Sequence, residues 1–184
     1  NVTLAGTING VTIKADITNF TDSILISQNA STGTLSSATN NVGIGDDVFA
    51  ALTSGRNSVA IGSNALDANT SGKNNVAVGH DALGANTTAD SNTAVGKSAL
   101  EANTTGNLNV AIGTLALDAN TVGDRSVAVG YSALGSQNPA SNADMNNTAV
   151  GYNAGGGLTT GIKNTLIGSV AGDAITTADN NTAV

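Results

Sequence analysis

The sequence contains no cysteine and no tryptophan, and its 184 residues include only two phenylalanines, two tyrosines and one proline. Without cysteine the chain forms no disulfide and no thiolate metal site. Aromatic side chains normally supply much of a globular core, because each of them buries a large area. Here the aromatic content is 2%, and the 40% hydrophobic content comes mainly from Ala, Val, Leu and Ile. This composition predicts a thin core of small side chains.

Charged residues are also scarce, and most of those present are acidic. They make up 10% of the chain, and 13 Asp and Glu against six Lys and Arg give a net charge of −7. A nucleic-acid-binding surface is normally basic, and an anionic membrane surface attracts basic segments. No apolar run reaches the length of a membrane span. We therefore expect no nucleic-acid partner and no membrane insertion.

A short phrase, Asn-x-Val/Thr-Ala-Ile/Val-Gly, recurs along the chain with nearly constant spacing. Its glycines are 17 residues apart, except for a step of 21 that marks a four-residue insertion within residues 136–146. A degenerate earlier copy occupies residues 23–26. Residues 181–184 begin a further copy, so we expect the repeat to continue beyond Val184. The phrase glycines are Gly45, Gly62, Gly79, Gly96, Gly113, Gly130, Gly151 and Gly168.

A period of 17 residues predicts a parallel β-solenoid, in which each coil stacks on the preceding one. The period is not a heptad, so a coiled coil is not indicated. About nine coils at roughly 4.8 Å each make a rod roughly 40 Å long. The predicted fold class is therefore all-β, a parallel β-solenoid (β-roll) with 17-residue coils over residues 23–184. Residues 1–22 lie outside the pattern and contain a hairpin signal at Asn9-Gly10, so we expect a connector or capping segment there.

The strand before each phrase glycine has two distinct faces. β-Branched residues stand one and three positions before the glycine, as at Val59 and Ile61, and share one face. We assign this face to the coil interior, opposite a Leu column four positions after the glycine. The other face carries Ala two positions, and Asn or Ser four positions, before the glycine. A solvated column has no reason to stay so small and uniform, so this face is predicted to contact another chain. The predicted chain-contact column is Ala60, Ala77, Ala94, Ala111, Ala128 and Ala149.

Each coil closes with Asn-Thr-Thr/Ser-Gly, as in residues 69–72 and 103–106. Asn and Thr side chains satisfy local backbone groups in turns, and Gly accepts positive φ. Stacked Asn side chains also form ladders. The resulting Thr column, exemplified by Thr70 and Thr104, raises a minor alternative, an ice-binding solenoid. A flat ice-binding face requires two Thr rows that point the same way, whereas here the second row is adjacent in sequence and lies in a turn.

No set of residues in the sequence predicts catalysis or a cofactor. His80, the one histidine, falls in the variable column directly after the phrase glycine, so it is expected at the surface without the partners of a catalytic triad. Asp46 and Asp47 are adjacent carboxylates that suit Ca²⁺ only if carbonyl ligands join them, and a solvated cap is favoured. Residues 155–157, Gly-Gly-Gly, lack the Lys of a phosphate-binding loop. We expect no enzyme activity, no metal and no cofactor.

One candidate binding patch lies near the insertion. Tyr131 and Tyr152 occupy successive outward positions on either side of it, and insertions in solenoids map to surface loops that often bind partners. The candidate residues are Tyr131, Asn138, Pro139, Asp144 and Tyr152. The alternative is that the insertion is only an accident of length.

Two repeat families resemble this sequence over about residues 22–184. Residues 57–62, Asn-Ser-Val-Ala-Ile-Gly, resemble the repeat of trimeric autotransporter adhesin heads. Residues 147–155, 159–161 and 164–168 are more similar to the tail-fibre repeats of bacteriophages, especially marine phages, and residues 22–26 resemble the lead-in to such fibres. The 17-residue coil is longer than is usual in adhesin heads, which favours the phage fibre.

The resemblance implies a homotrimer around one axis and a structural role in an extracellular virion tail. It also implies other fibre or tail proteins and a host-surface receptor, such as a glycan, as partners. The alternative that it leaves open is an adhesin head on a bacterial cell surface. It provides no catalytic residues.

Overall fold

The structure is a computed structural model that describes residues 6–8, 11–17, 20–27 and 32–184. The described chain is all β, with no helix, and forms a parallel solenoid of about nine turns with 17-residue spacing. This confirms the predicted fold class for the single chain. Positions below are counted from the phrase glycine of each coil, so that Ala60 is at position −2 and Leu66 at position +4 of the Gly62 coil.

Fifteen short strands lie within the described residues, most of them three residues long. They are β1 (Gly6–Ile8), β2 (Val11–Ile17), β3 (Phe20–Ser27), β4 (Ala38–Thr39), β5 (Val42–Ile44), β6 (Val59–Ile61), β7 (Val76–Val78), β8 (Thr93–Val95), β9 (Val110–Ile112), β10 (Gly123–Asp124), β11 (Val127–Val129), β12 (Ala143–Asp144), β13 (Thr148–Val150), β14 (Thr165–Ile167) and β15 (Thr182–Ala183).

The strands that precede the phrase glycines stack in parallel and in register. The sheet order is β3-β5-β6-β7-β8-β9-β11-β13-β14-β15, and each pair joins equivalent positions, as Val59 joins Val76 and Ala60 joins Ala77. The ladder passes through the insertion unchanged, because Ala128 pairs with Ala149 although 21 residues separate them. Each column of the sequence is therefore a physical file of side chains along the solenoid.

The N-terminal strands cover the first edge of this ladder. β1 and β2 are antiparallel and pair Ile8 with Val11, which leaves Asn9-Gly10 between them, outside the described residues. β2 pairs antiparallel with one edge of β3, whose other edge pairs in parallel with β5. Because β3 spans residue 22, the predicted connector and the solenoid share a strand.

The repeating glycine is required by close coil-to-coil contact. Gly62 has φ +131°, and a Cβ placed on it would lie 2.5 Å from the carbonyl oxygen of Gly79 in the next coil. Any side chain at this position would therefore be both strained and in collision with backbone. This contact recurs from coil to coil and explains why glycine marks the period.

The structure reverses the predicted inside and outside of the strand. The Ala column at position −2 and the Asn/Ser column at −4 are buried, whereas the β-branched columns at −1 and −3 face outward and are half-buried or exposed. The Leu column at +4 lies inside, as predicted, and so does Phe49. These Leu side chains fill most of the thin coil, so the opposite strand face has room only for Ala.

The buried Asn side chains are accommodated because each completes hydrogen bonds between coils. The Asn92 Oδ1 accepts the Asn109 backbone N–H at 2.9 Å, and its Nδ2 donates to the Gly106 carbonyl at 2.9 Å. A second ladder at position +7 joins Asn69, Asn86, Asn103 and Asn120. Among the described residues, no fully buried side-chain nitrogen or oxygen lacks a partner. The Asn ladder predicted at the closing turn is thus confirmed, and it lies inside the coil. The hydrogen bonds of the Asn column at position −4 were not predicted.

Candidate functional site: the outward strand face

A double file of β-branched side chains runs along the outer surface of the strand ladder. We call it the aliphatic stripe. It is formed by positions −3 and −1 of successive coils: Ile24, Ile26, Val42, Ile44, Val59, Ile61, Val76, Val78, Thr93, Val95, Val110, Ile112, Val127, Val129, Thr148, Val150, Thr165 and Ile167.

The stripe leaves much of this apolar surface open to solvent. Ile24 is 47% exposed, Ile44 42% and Ile112 41%. Equivalent side chains repeat roughly every 4.8 Å along the ladder, and those within a strand are about 7 Å apart. A continuous apolar surface of this kind is unusual on a monomer and marks a surface that contacts something else.

The predicted chain-contact column does not lie on this surface. Ala60, Ala77, Ala94, Ala111, Ala128 and Ala149 each have 0% exposure within their own coil. They pack in the core that contains the Leu column, so they have no surface to offer a second chain. The uniformity of the Ala column, which suggested the contact, reflects the narrow space inside the coil.

The two tyrosines of the predicted patch do come together. Tyr131 and Tyr152 stand at position +1 of successive coils, with ring centroids 5.5 Å apart and planes 11° from parallel. They are 48% and 58% exposed. The neighbouring members of this column, such as Lys97 and Ser169, are exposed as well, so the column is outward, as predicted.

The inserted segment forms the other half of the predicted patch, at the opposite end of β11. Asp144 forms an ion pair with Arg125, which precedes this strand, whereas Tyr131 follows it. Asn138 accepts a 2.7 Å hydrogen bond from the Thr121 hydroxyl, and Pro139 is buried. The structure thus separates Asn138, Pro139 and Asp144 from the tyrosine pair. Ligand binding by either half stays a prediction.

Two residues of the insertion coil have roles that the sequence analysis missed. Gln137 is fully buried, and its Oε1 accepts from the Ser126 hydroxyl at 3.1 Å and the Asn147 amide at 2.9 Å. It also extends the Asn ladder, because its Nε2 donates to the Asn120 Oδ1 at 3.3 Å. Met145 is buried beside Gly123. The register offered a signal for Gln137, since position +7 is Asn in the four preceding coils.

A shallow acidic depression of about 610 Å³ lies on the outside of the coils around Gly84. It is lined by Asp67, Asp81, Glu101 and Asp118 together with Gly84 and three alanines. Burial raises the pKa of Asp67, and the Asp81 and Asp47 carboxylates add to this. Burial also raises the pKa of Asp118, beside Glu101. Within the described ranges, no group of three or more His, Asp or Glu side chains is placed to hold a metal ion.

The remaining candidates take unremarkable places at the surface. His80 is exposed and contacts its neighbour Asp81. Asp46 and Asp47 lie in the turn that follows β5. The threonine hydroxyls at position +8 are used between coils, as Thr70 donates to the Thr87 carbonyl at 3.0 Å. Those hydroxyls are therefore not free to form a regular external array.

Comparison with protein-family models, curated proteins and solved structures finds no match for this chain. Within the described residues, there is no helix of the length and apolarity needed to cross a membrane. Any function therefore has to be argued from the surfaces of the solenoid itself.

Proposed function

We propose that this chain is a structural segment of a phage tail fibre, assembled as a homotrimer and located outside the cell on the virion tail. In this role it holds a host-receptor-binding region at a distance from the virion and contacts other fibre or tail proteins. It performs no catalysis. The observation that carries the proposal is the aliphatic stripe.

The stripe provides the association energy that such an assembly needs. Full burial of one Val or Ile side chain contributes about 1.5–3 kcal/mol, and the stripe residues are already partly covered in the single chain. The stripe has 15 Val and Ile side chains. At roughly 0.5 kcal/mol for each, they contribute on the order of 8 kcal/mol per chain. That is comparable to the cost of losing translational and rotational freedom on association, which is about 4–15 kcal/mol.

The geometry of the stripe favours copies of this chain as the partner. The stripe repeats with the coils, so a surface that matches it along its length needs the same repeat. Another copy has that repeat, and closed symmetric homo-oligomers are the usual assemblies of such surfaces. Three copies, rather than two, follow from the resemblance to trimeric fibre and adhesin repeats.

Charge placed in the stripe tests this arrangement. Val76→Lys/Val110→Lys puts two lysines in the middle of the stripe, where a trimer would bury them without partners. Ser63→Lys/Thr114→Lys, at position +1, is the matched control with the same charge change. We expect light scattering to give one chain mass for the stripe variant and three for the control, with both retaining a β circular dichroism spectrum. A stripe variant that keeps the trimer mass would show that the stripe is not the interface.

The phage fibre and the bacterial adhesin head share this architecture, so location must separate them. Antibodies raised against the chain should label the tails of purified virions. Labelling of bacterial cell surfaces in the absence of phage would support the adhesin head instead.

The outward strand face also carries threonines, so the ice-binding alternative needs a test of its own. Thr93, Thr148 and Thr165 lie in the outward file beside Val and Ile, in a regular array that an uncovered face would present to water. A monomeric chain with thermal hysteresis would favour ice binding over the fibre.

A further inference from the structure

The core columns are uniform through the middle of the solenoid and change at both ends. From the Gly45 coil onward, position −2 is Ala except at Gly43 and Leu166, and position +4 is Leu or Phe except at Gly155 and Gly172. The preceding strand β3 has Leu25 at position −2. Around Leu166 the facing positions +4 are reduced to Gly155 and Gly172, and beside Leu25 the next position −2 is reduced to Gly43. Two such exchanges of size bracket the five uniform coils of Gly62 to Gly130.

The second exchange is centred on Leu166, which is fully buried in β14. A Cβ placed on Gly155 would lie 2.7 Å from the Leu166 Cδ1, and one on Gly172 would lie 2.6 Å from its Cδ2. Leu166 thus occupies the space of the two Leu side chains that positions 155 and 172 lack. Gly155 has φ +60° and Leu134, in the same column, has φ +52°. The backbone accepts Leu at this position, so the glycine is required by space.

The first exchange is centred on Leu25, in β3. A Cβ placed on Gly43 would lie 2.7 Å from the Leu25 Cδ1 and 3.1 Å from the Phe49 Cδ2. Every later position −2 in the ladder carries a side chain. Leu166 lies between Ala149 and Ala183 in the ladder because positions 155 and 172 are glycine. Where position +4 is Leu or Phe instead, a Leu at position −2 needs glycine at the next position −2, and β5 is the ladder strand that offers it, at Gly43.

The uniform coils make a specific folding error possible. A strand stacked one coil out of place meets the same Val, Ala and Leu columns, and the skipped coil loops out. Register in a sheet is weakly specified wherever neighbouring segments offer equivalent contacts, and the entropic cost of a longer loop grows slowly with its length. The residues that determine which coil stacks on which must then lie where the columns are not uniform.

We propose that the Leu25/Gly43 and Leu166/Gly155 exchanges are register locks, which exclude stacking errors of one coil at the two ends of the uniform region. If β14 stacked on β11 instead of β13, Leu166 would face Leu134 in place of Gly155. The Leu134 side chain would then occupy the space that Leu166 needs. Only the coil of Gly151 offers Leu166 a glycine beneath it.

The absence of cysteine allows a direct test by disulfide trapping. Thr148 and Thr165 are partners in the native ladder, so Thr148→Cys/Thr165→Cys reports native stacking. Val127→Cys/Thr165→Cys reports the slipped stacking, because these positions are two coils apart in the native ladder, about 10 Å, and beyond disulfide reach. Both pairs lie on the outward face and leave the core unchanged. The chains are denatured, refolded, oxidised and analysed by mass spectrometry of peptides. Only chains that run as monomers on a non-reducing denaturing gel are used, which excludes disulfides between copies.

The decisive variant is Leu134→Gly, which gives the slipped Leu166 an acceptable place. Leu117→Gly is the matched control, since it removes the same side chain one coil further away and leaves Leu134 in place to exclude stacking of β14 on β11. We expect the 127–165 disulfide to increase several-fold in Leu134→Gly relative to both Leu117→Gly and the wild-type core. Equal yields in the two glycine variants would overturn the proposal.

A second variant keeps the proposal testable if Leu134→Gly does not fold. Gly155→Leu/Leu166→Ala/Gly172→Leu restores the uniform columns and should fold with a normal β spectrum. Without the lock, we expect the 127–165 disulfide to form in a clearly larger fraction of refolded chains than in the wild-type core. Native 148–165 disulfides alone, at the wild-type yield, would show that the exchange at Leu166 does not set the register.

Discussion

At the scale of single residues, the interior is notable for its polar side chains. Amide ladders run inside a core that is otherwise built of Ala and Leu, and they are stable there because every amide is used. A buried amide that loses its partners costs more than the hydrogen bond itself contributes, since the orphaned groups are also desolvated.

Removal of one inner amide should therefore lower the free energy of unfolding. Asn92→Ala leaves the Asn109 N–H without its partner and removes one of the two amide donors to the Gly106 carbonyl, which keeps the hydrogen bond from Asn103. We expect a loss of about 1–3 kcal/mol, the cost of the orphaned N–H. Asn142→Ala is the control, because the Asn142 Nδ2 donates to a backbone carbonyl of the preceding coil, that of Val122, at the exposed surface. Urea unfolding measures both. Equal losses would mean that the inner ladder is not a special source of stability.

Burial of Asp67 predicts a pH dependence of stability. Its pKa is raised in the folded state, mainly by burial and further by Asp81 and Asp47. A folded-state pKa above the unfolded one favours folding at low pH, and this contribution is lost as the pH rises through the folded pKa. Asp67→Asn should therefore stabilise the chain at neutral pH, and the gain should vanish in acid below the ordinary pKa of Asp.

The matched control for this prediction is Asp46→Asn, which removes the same charge from an exposed position. Thermal unfolding from neutral to acid pH compares the two variants with the wild type. A gain for Asp67→Asn that does not change with pH would contradict a titration of the buried carboxyl.

At the scale of the coil, glycine and position decide what each element does. Gly62 follows strand β6 with φ +131°, and a Cβ on it would collide with the backbone of the next coil. A Cβ on Gly84 would meet its nearest atom, the Asp81 carbonyl oxygen, at 3.4 Å. These glycines should respond differently to the same substitution.

We expect Gly62→Ala to destabilise the solenoid by at least about 2–3 kcal/mol, because strain at positive φ adds to a backbone collision. Gly84→Ala should change stability by less than about 1 kcal/mol, since its space is open and alanine lowers the entropy of the unfolded chain. Chemical denaturation of the two variants gives the comparison. Similar losses would contradict the account of the period.

The elements of the coil also show which features of the fold can be predicted from the sequence alone. The 17-residue period, the strands, the Leu column and the Asn ladder of the closing turn were all accessible, because each follows from spacing and residue type. The two strand faces were predicted in reverse, since Val59 and Ile61 are more hydrophobic than Ala60 and Ser58. The space inside the coil, and not the hydrophobicity of the side chains, decides which face is buried. The Leu column leaves room only for small side chains, and the hydrogen bonds of the ladder make burial of Asn acceptable.

The candidate patch near the insertion illustrates a second limit. The positions of Tyr131 and Tyr152 in one column predicted that they are neighbours, and the rings do stack. Sequence proximity also suggested Asp144 as a neighbour, but β11 lies between Asp144 and the tyrosines. Distance around a coil is not visible in spacing along the chain, so the two halves of the patch were not separable from the sequence.

At the scale of the whole molecule, the described part of the solenoid has its hydrogen bonds formed inside and an uncovered apolar surface outside. Its buried polar groups are paired, its first edge is covered by β2, and its aliphatic stripe is open along the ladder. Covering the stripe would remove this apolar surface from water. The fibre proposal depends on this asymmetry.

The most direct test is the native mass of the unmodified chain, measured by light scattering across a range of concentrations. The chain mass is 17.8 kDa, and we predict three times that value, unchanged on dilution into the low micromolar range. A stable particle of one chain mass, with a folded β spectrum, would contradict the central claim, because the aliphatic stripe would then be a surface that the folded chain leaves open to water.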